Sequence, residues 1–361
     1  MKKIACFHLL NDFSGSPKVL RVVLDGLLKK GLKIDLVTSK GNGALSDLEK
    51  YKQIRLYKYD YTFSTNPLAT LIRYIVLQLY AFFFSFRYLF AKNVVFYVNT
   101  ILPLGAAFAG KLMGKTVVYH YHENASVKSK FYRLLAALMQ LLASKIICVS
   151  EYQRSFLHRK KEVYVIPNAV SVDFLSQLKS NPREDYNRKC VLMLGSLKHY
   201  KGTLEFIELA KRLPQYRFEL VLNENSENIV RFWRENQLLP LKNLNVHSRQ
   251  DNVAPFYNRA SLVLNLSNKK LVVETFGMTA LEAMSAGLPI IVPTVGGIAE
   301  MVEDGVNGYK IDVQELDAIE EKIRLILENY ELYKSLSEGA LNTSQKYSEE
   351  VMVKQIFDII N

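Results

Sequence analysis

Apolar runs of strand length alternate along the chain with longer stretches in which apolar positions recur every three or four residues. Residues 4–9, 34–37, 94–98, 117–121 and 146–149 read as strands, and 19–28, 104–112 and 131–142 as the helices among them. This alternation predicts a parallel sheet covered by helices on both faces. The rhythm restarts with a strand at 191–194, a helix at 202–213 and strands at 218–222, 262–266 and 290–292. Between the two series, 171–189 is polar, is interrupted by Pro182 and has no strand pattern, so it is the expected linker. The expected fold is α/β, with two doubly wound domains at 1–170 and 171–345. Ligands of such domains bind beyond the carboxyl ends of the strands, which places the expected site in a cleft between them.

Composition narrows the class. With 49% hydrophobic and 23% charged residues in 361, disorder is excluded and two cores can be filled. Cys6, Cys148 and Cys190 lie far apart among apolar neighbours, so neither a disulfide frame nor a zinc site follows. No apolar run before Asn11 and Asp12 is long enough for a signal peptide, and a cytoplasmic protein is expected. The net charge of +12 is lopsided: 26 basic face 10 acidic residues in 1–180, against 21 and 25 in 181–361. The first half therefore suits an anionic partner, a nucleic acid or a lipid surface. No nucleic-acid-binding motif is present, so nucleic acid is not expected as a partner.

One helix bears on that partner. Residues 68–90 are long enough to span a bilayer but carry Arg73, Gln78 and Arg87. Arg73, Tyr80 and Arg87 recur at seven-residue steps and form one narrow polar stripe on an otherwise apolar helix. The expected placement is the helix before strand 94–98, apolar faces in the core. Its apolar circumference exceeds what a half-buried helix needs, which suggests a peripheral attachment in which basic residues meet anionic headgroups.

The chemistry concentrates at Glu274-Thr-Phe-Gly-Met-Thr-Ala-Leu-Glu282. Met278, Leu281, Met284, Ser285 and Leu288 have helical spacing, so a short helix starts near Gly277 and ends at Gly287, before Pro289. Glu274 then lies on the loop before the helix and Glu282 in its second turn. Phe276, Gly277 and Met278 offer backbone N–H groups at the positive helix end, which suits a diphosphate. Two carboxylates beside such a cradle suit a ligand with hydroxyls on both sides of the phosphates, as in a nucleotide sugar. The plainer reading is an ordinary helix with an exposed glutamate.

These residues, with Ala286-Gly287-Leu-Pro289 and the stretch from Gly296-Gly297 to Gly308, resemble the donor-binding signature of glycosyltransferase family 4. The likeness recurs in order at Ser14-Gly15-Ser-Pro17, His120-Tyr-His122-Glu123, Val149-Ser150-Glu151, Val165-Ile-Pro167-Asn168 and Gly195-Ser-Leu-Lys-His-Tyr-Lys201-Gly202. The resemblance implies a GT-B fold and a retaining transfer of a hexose from a UDP- or GDP-sugar to a glycan hydroxyl. Glu274 corresponds to the glutamate on the donor sugar's hydroxyls, Glu282 to the one on the ribose, Lys201 to the diphosphate lysine and His122 to the histidine beside sugar and acceptor. Gly15 corresponds to a glycine of the first loop. Where the family usually has a second diphosphate-directed arginine this chain has Ser196, with Lys198 or His199 as possible substitutes.

The family's last helix returns to the amino domain, so the amphipathic stretch 349–360 is expected to do so, with 346–361 joining that domain. Relatives that build bacterial surface polysaccharides suggest a lipid-diphosphate-linked glycan acceptor on the cytoplasmic face of an anionic membrane. No Asp-x-Asp triplet or metal-ligand spacing occurs, so no cofactor or required metal is expected. The competing readings are a nucleotide-sugar epimerase of the same fold and a non-catalytic basic adaptor.

Overall fold

The computed structural model describes residues 2–62, 66–125, 129–158 and 162–361. The elements run β1 Lys3–Phe7, α1 Gly15–Lys29, β2 Lys33–Ser39, β3 Ile54–Tyr59, α2 Pro67–Ser85, β4 Val94–Asn99, α3 Leu104–Leu112, β5 Thr116–Tyr121, α4 Lys130–Leu142, β6 Lys145–Cys148, α5 Glu151–Ser155 and β7 Val163–Val165. They continue with α6 Val172–Leu175, α7 Pro182–Arg188, β8 Cys190–Gly195, α8 Thr203–Arg212, β9 Arg217–Leu222, α9 Ser226–Glu235, β10 Leu244–His247, α10 Ala254–Tyr257 and β11 Leu262–Leu264. The last are α11 Met278–Ser285, β12 Ile290–Val292, α12 Gly297–Glu300, β13 Gly308–Lys310, α13 Leu316–Glu328, α14 Tyr330–Ser344 and α15 Glu349–Ile360.

The chain divides into two compact units, residues 1–169 with 349–361 and residues 170–348. The segment 171–189 is not a linker but part of unit 2. Ser171 caps α6 through Phe174 N–H at 3.2 Å, and Asn181 caps α7 through Arg183 N–H at 3.2 Å. Pro182 sits in the first turn of α7, where its missing N–H costs nothing. Polar residues without a strand pattern thus fold as two short capped helices.

Among the described residues unit 1 has a parallel sheet in the order β3-β2-β1-β4-β5-β6-β7, and unit 2 one in the order β10-β9-β8-β11-β12-β13. Central strands such as β4, buried at every position, are the continuous apolar runs of the sequence. In each sheet the order reverses once, between β1 and β4 and between β8 and β11, leaving a crevice beyond the strand ends. Phe7, Phe96, Val117, Tyr119 and Met139 fill the unit 1 core on the side of α2, α3 and α4, while Phe206, Phe218, Leu264, Ile323 and Tyr333 fill that of unit 2.

On the other side of the unit 1 sheet α15 covers α1. A Cβ on Gly26 would lie 2.4 Å from a methyl of Val353, so the glycine allows this close packing. Lys2 and Lys145 donate to the carbonyls of Ile360 and Ile359 at 3.0 and 2.6 Å, serving the last carbonyls of the helix.

Helix α2 departs from expectation. Its buried face is narrow, comprising Tyr74, Leu77, Ala81 and Ser85, and most of its apolar residues point away from the core. The polar stripe of Arg73, Tyr80 and Arg87 is exposed too and makes surface contacts. Arg73 donates to the carbonyl of Thr62 at 3.0 Å, and Arg87 stacks on Tyr57 and Phe84 at 4.5 Å from each ring centre.

Candidate active site

The site residues of unit 2 gather at the β8/β11 reversal. After Gly195 the chain passes Ser196, makes a single 3-10 turn at His199–Lys201 and enters α8 through Gly202. Gly202 has φ +73°, and a Cβ there would lie 2.4 Å from Leu266, so glycine lets this loop rest on the end of β11. Lys201 thereby meets the next loop, where its ammonium pairs with Glu274 Oε1 and Ser267 Oγ donates to the same oxygen at 2.9 Å. The two charged side chains are 26% and 21% exposed. Burial alone would favour their neutral forms, but their mutual attraction outweighs it. Lys201 is raised above its ordinary pKa and Glu274 held below its own, with the nearby Lys198 ammonium adding to the pull on Glu274.

The backbone of Glu274 is pinned from behind. Gly297 N–H donates to its carbonyl at 2.9 Å, and a Cβ on Gly296, whose φ is +113°, would lie 2.5 Å from that oxygen. Gly277, at φ +90°, is the N-cap of α11, and no side chain caps that end. Phe276 is buried, its ring 5.9 Å from Tyr347, while Gly277 and Met278 are partly exposed. Glu282 lies in the second turn of α11, where Tyr257 donates to its Oε2 at 2.7 Å. Ser196 is held through its carbonyl, which accepts from Thr203 Oγ1 at 3.2 Å, while Lys198 and His199 are exposed.

The unit 1 histidines gather at the β1/β4 reversal and are uncharged. His122 follows β5, and its Nε2 donates to Asn99 Oδ1 at 2.9 Å. Asn99 Nδ2 in turn donates to His8 Nδ1 at 3.1 Å, with Ser16 O at 3.5 Å as a second acceptor. One amide thus fixes both rings: His8 carries its proton on Nε2, and His122 Nδ1 is left as an acceptor. His120, fully buried, shares a hydrogen bond between its Nδ1 and Tyr97 OH at 2.7 Å, and its ring lies 4.1 Å from that of His122. Burial lowers His8 to about 4 and His120 to about 3, and with the neighbouring imidazoles it holds His122 well below the ordinary value. Glu123 accepts from Ile101 N–H at 3.2 Å and so orders the loop after β4.

Gly15 opens α1 beside this cluster. Ser14 turns its hydroxyl to Asp12 at 2.5 Å rather than capping the helix. Nothing lies within 4 Å of a Cβ built on Gly15, so neither packing nor φ requires glycine there. Among the described residues no three His, Cys, Asp or Glu side chains are placed to hold a metal ion.

The structure therefore brings Lys201 and Glu274 into contact, sets Glu282 against Tyr257 and joins His122 to Asn99. Asn99, His8, Ser267 and Tyr257 were not read from the sequence. For the first three a signal existed, since each is polar and ends or follows an apolar strand next to a reversal.

Both halves match known families. Residues 13–174 match Glycosyltransferase Family 4, and residues 176–343 match Glycosyl transferases group 1. The chain belongs to the family 4 glycosyltransferases. An uncharacterised glycosyltransferase of Methanocaldococcus jannaschii is 33% identical over 217 residues, covering 58% of this chain and 57% of that protein. The chain thus spans little more than half the length of that relative. An uncharacterised glycosyltransferase of Haemophilus influenzae is 23% identical over 98% of this chain and 99% of its own length. Anabaena HepE, solved in complex with UDP-glucose, shares the fold at TM-score 0.77 and 20% identity, with 99% of each chain covered. This glycosyltransferase accordingly has the GT-B fold, two Rossmann-like α/β domains with parallel sheets.

Proposed function

We propose that the enzyme transfers a hexose from a nucleoside diphosphate sugar to a hydroxyl of a lipid-diphosphate-linked glycan, with retention of anomeric configuration. The observation that carries this reading is the Lys201–Glu274–Ser267 cluster, a paired cation and carboxylate at the reversal of a parallel sheet, next to an uncapped helix start. Lys201 and the N–H groups of Gly277 and Met278 receive the diphosphate, supplying the positive charge that another transferase would take from a metal ion. Glu274 accepts hydrogen bonds from the sugar hydroxyls, and Glu282, braced by Tyr257, accepts from the ribose. A uridine donor is favoured, since HepE binds UDP-glucose.

In the transfer the bond from the anomeric carbon to the diphosphate oxygen breaks, its electron pair leaving with the nucleotide. The acceptor hydroxyl forms the new bond on the same face, and its proton passes to the departing phosphate oxygen. Neutral His122, its ring fixed by Asn99, is assigned to the sugar and acceptor hydroxyls. An acceptor anchored in lipid places the enzyme at the cytoplasmic face of a membrane, in surface polysaccharide synthesis.

The test has two stages. Protection against thermal unfolding by a panel of UDP and GDP sugars identifies the donor, and proton NMR of the product reads the anomer. An inverted product overturns retention, and transfer at an unchanged rate by Glu274→Ala overturns the assigned site.

A further inference from the structure

The outer face of α2 is apolar where a surface helix is ordinarily polar. Leu68, Ile72, Val76, Leu79 and Phe83 are all more than half exposed and recur at three- and four-residue steps, so they form one continuous stripe. The stripe does not end with the helix. Phe90, just beyond it, is 92% exposed. The ring of Phe82 lies 6.0 Å from that of Phe108 on α3, which is itself more than half exposed, and Phe131, Leu134 and Leu141 of α4 are exposed as well. The three helices pack side by side in one layer over the sheet, and each turns large apolar residues outward. Monomeric soluble surfaces rarely carry contiguous apolar patches of this extent.

Charge identifies the occupant. Between residues 66 and 145 the sequence has nine basic residues and one acidic residue, Glu123. Glu123 is turned inward onto Ile101 N–H, whereas Lys92, Lys111, Lys130 and Arg133 are exposed around the apolar face. An apolar face rimmed by one sign of charge fits a surface that is apolar inside and anionic outside.

By length and composition the helix is also long and apolar enough to cross a bilayer. Packing forbids that. Helix α2 is the crossover between β3 and β4 of one sheet, and Tyr74 OH and Gln78 Oε1 bond the backbone of Leu102 and Gly105 at 2.8 and 2.9 Å. A Cβ on Gly105 would lie 2.0 Å from Gln78 O, so α2 and α3 are locked backbone to backbone. The helix cannot leave the unit without dismantling it.

We propose that the α2–α3–α4 face of unit 1 is a membrane-docking surface that lies flat in the interface of an anionic bilayer, with Phe83 and Phe90 among the inserted side chains. This deepens the lipid-linked acceptor reading and rests on it for the choice of a bilayer. The enzyme would then be held where such an acceptor is presented.

The test uses the full chain with phosphatidylcholine vesicles, with and without phosphatidylglycerol, and needs neither donor nor acceptor. Failure to bind therefore leaves sugar transfer standing, and failure of transfer leaves the docking face standing. The wild type should sediment with the anionic vesicles at low salt and be released as salt screens the charge. Ile72→Glu/Val76→Glu/Phe83→Glu should weaken binding at least about tenfold while retaining its melting temperature, because all three side chains point outward. Lys111→Glu/Lys130→Glu/Arg133→Glu should abolish the preference for anionic lipid. The proposal is overturned if the wild type stays in solution at low salt, or if the apolar triple variant binds vesicles as the wild type does. It is equally overturned if that variant converts a dimer to a monomer with vesicle binding unchanged, since a second copy would then cover the face.

Discussion

At the reversal of the unit 2 sheet, an ammonium and a carboxylate remain charged in a half-buried place because each is the other's partner. At the corresponding reversal of unit 1, three histidines crowd around Asn99 and Tyr97 and are neutral, because burial outweighs the pull of the nearby Asp12 carboxylate and their ring nitrogens bond an amide and a phenol rather than a carboxylate. The same topology thus carries opposite chemistry. The charged reversal suits the phosphates and the developing charge of a leaving group, and the neutral one suits hydroxyls, which need defined donors and acceptors.

Breaking the charged cluster should have the largest effect. Glu274→Gln keeps the shape but leaves Lys201 without a carboxylate, and kcat/KM for transfer is expected to fall about a hundredfold or more, measured as nucleotide release. A fall seen only in KM would mean that Glu274 binds substrate and transition state alike. Lys201→Met removes a charge-assisted bond to the diphosphate, and nucleotide affinity by calorimetry should drop roughly tenfold to a hundredfold.

The two reversals should also part company in acid. A buried neutral histidine costs stability once the unfolded chain binds protons that the folded chain refuses. For His8 that range runs from 6.5 down to about 4, and for His120 down to about 3. Each tenfold loss of proton affinity on folding is worth ~1.4 kcal/mol, so His8 alone should remove on the order of 3 kcal/mol of unit 1 stability between pH 7 and pH 4. The Lys201–Glu274 pair behaves otherwise. Glu274 is lowered, so its contribution is full above 4.5 and fades only as pH falls below that. Lys201 is raised, so its contribution is full below 10.5 and fades as pH rises above that. Hydrogen exchange followed from pH 7 to pH 4 should show unit 1 loosening first. Simultaneous loosening would mean the histidines do not govern it.

The smallest effects separate two glycines. Gly296→Ala forces a Cβ against the Glu274 carbonyl at positive φ and should cost about 1–3 kcal/mol in a thermal melt, with activity falling alongside. Gly15→Ala meets nothing in the protein and should leave the melting temperature within about 1 °C, changing only substrate kinetics. A stability loss at Gly15 would remove the case for a ligand passing close to it.

Much of this architecture was legible because central parallel strands are buried on both faces and spell continuous apolar runs. The strands not read from the sequence, β3, β7, β10 and β13, are the four sheet edges. An edge strand is covered on one side only, so β3 carries Arg55 and Lys58 exposed within its six residues and β10 is never fully buried. The Glu274 loop was legible because a glycine, a short helix and a proline mark its ends. Asn99 and His8 were visible only as polar strand ends, because their roles arise from register: β1 pairs with β4 across more than eighty residues of chain, and no local pattern reports which polar ends will meet. For helix α2 the surplus of apolar surface was legible, but how narrow its buried face is was not, since composition shows how apolar a helix is but not which side the sheet takes.

The return of α15 to unit 1 has a consequence for synthesis. As the chain emerges from the ribosome, β1 to β7 are complete while the groove along α1 that receives Val353 still lacks its cover, and the whole of unit 2 must be made before that cover appears. Unit 2, continuous from residue 170 to 348, has every element it needs before the last helix is translated. The half made first is thus the half closed last. During that interval its exposed α1 face depends on chaperones or on brief translation times, and a stalled or truncated product would show the same uncovered surface to quality-control proteases.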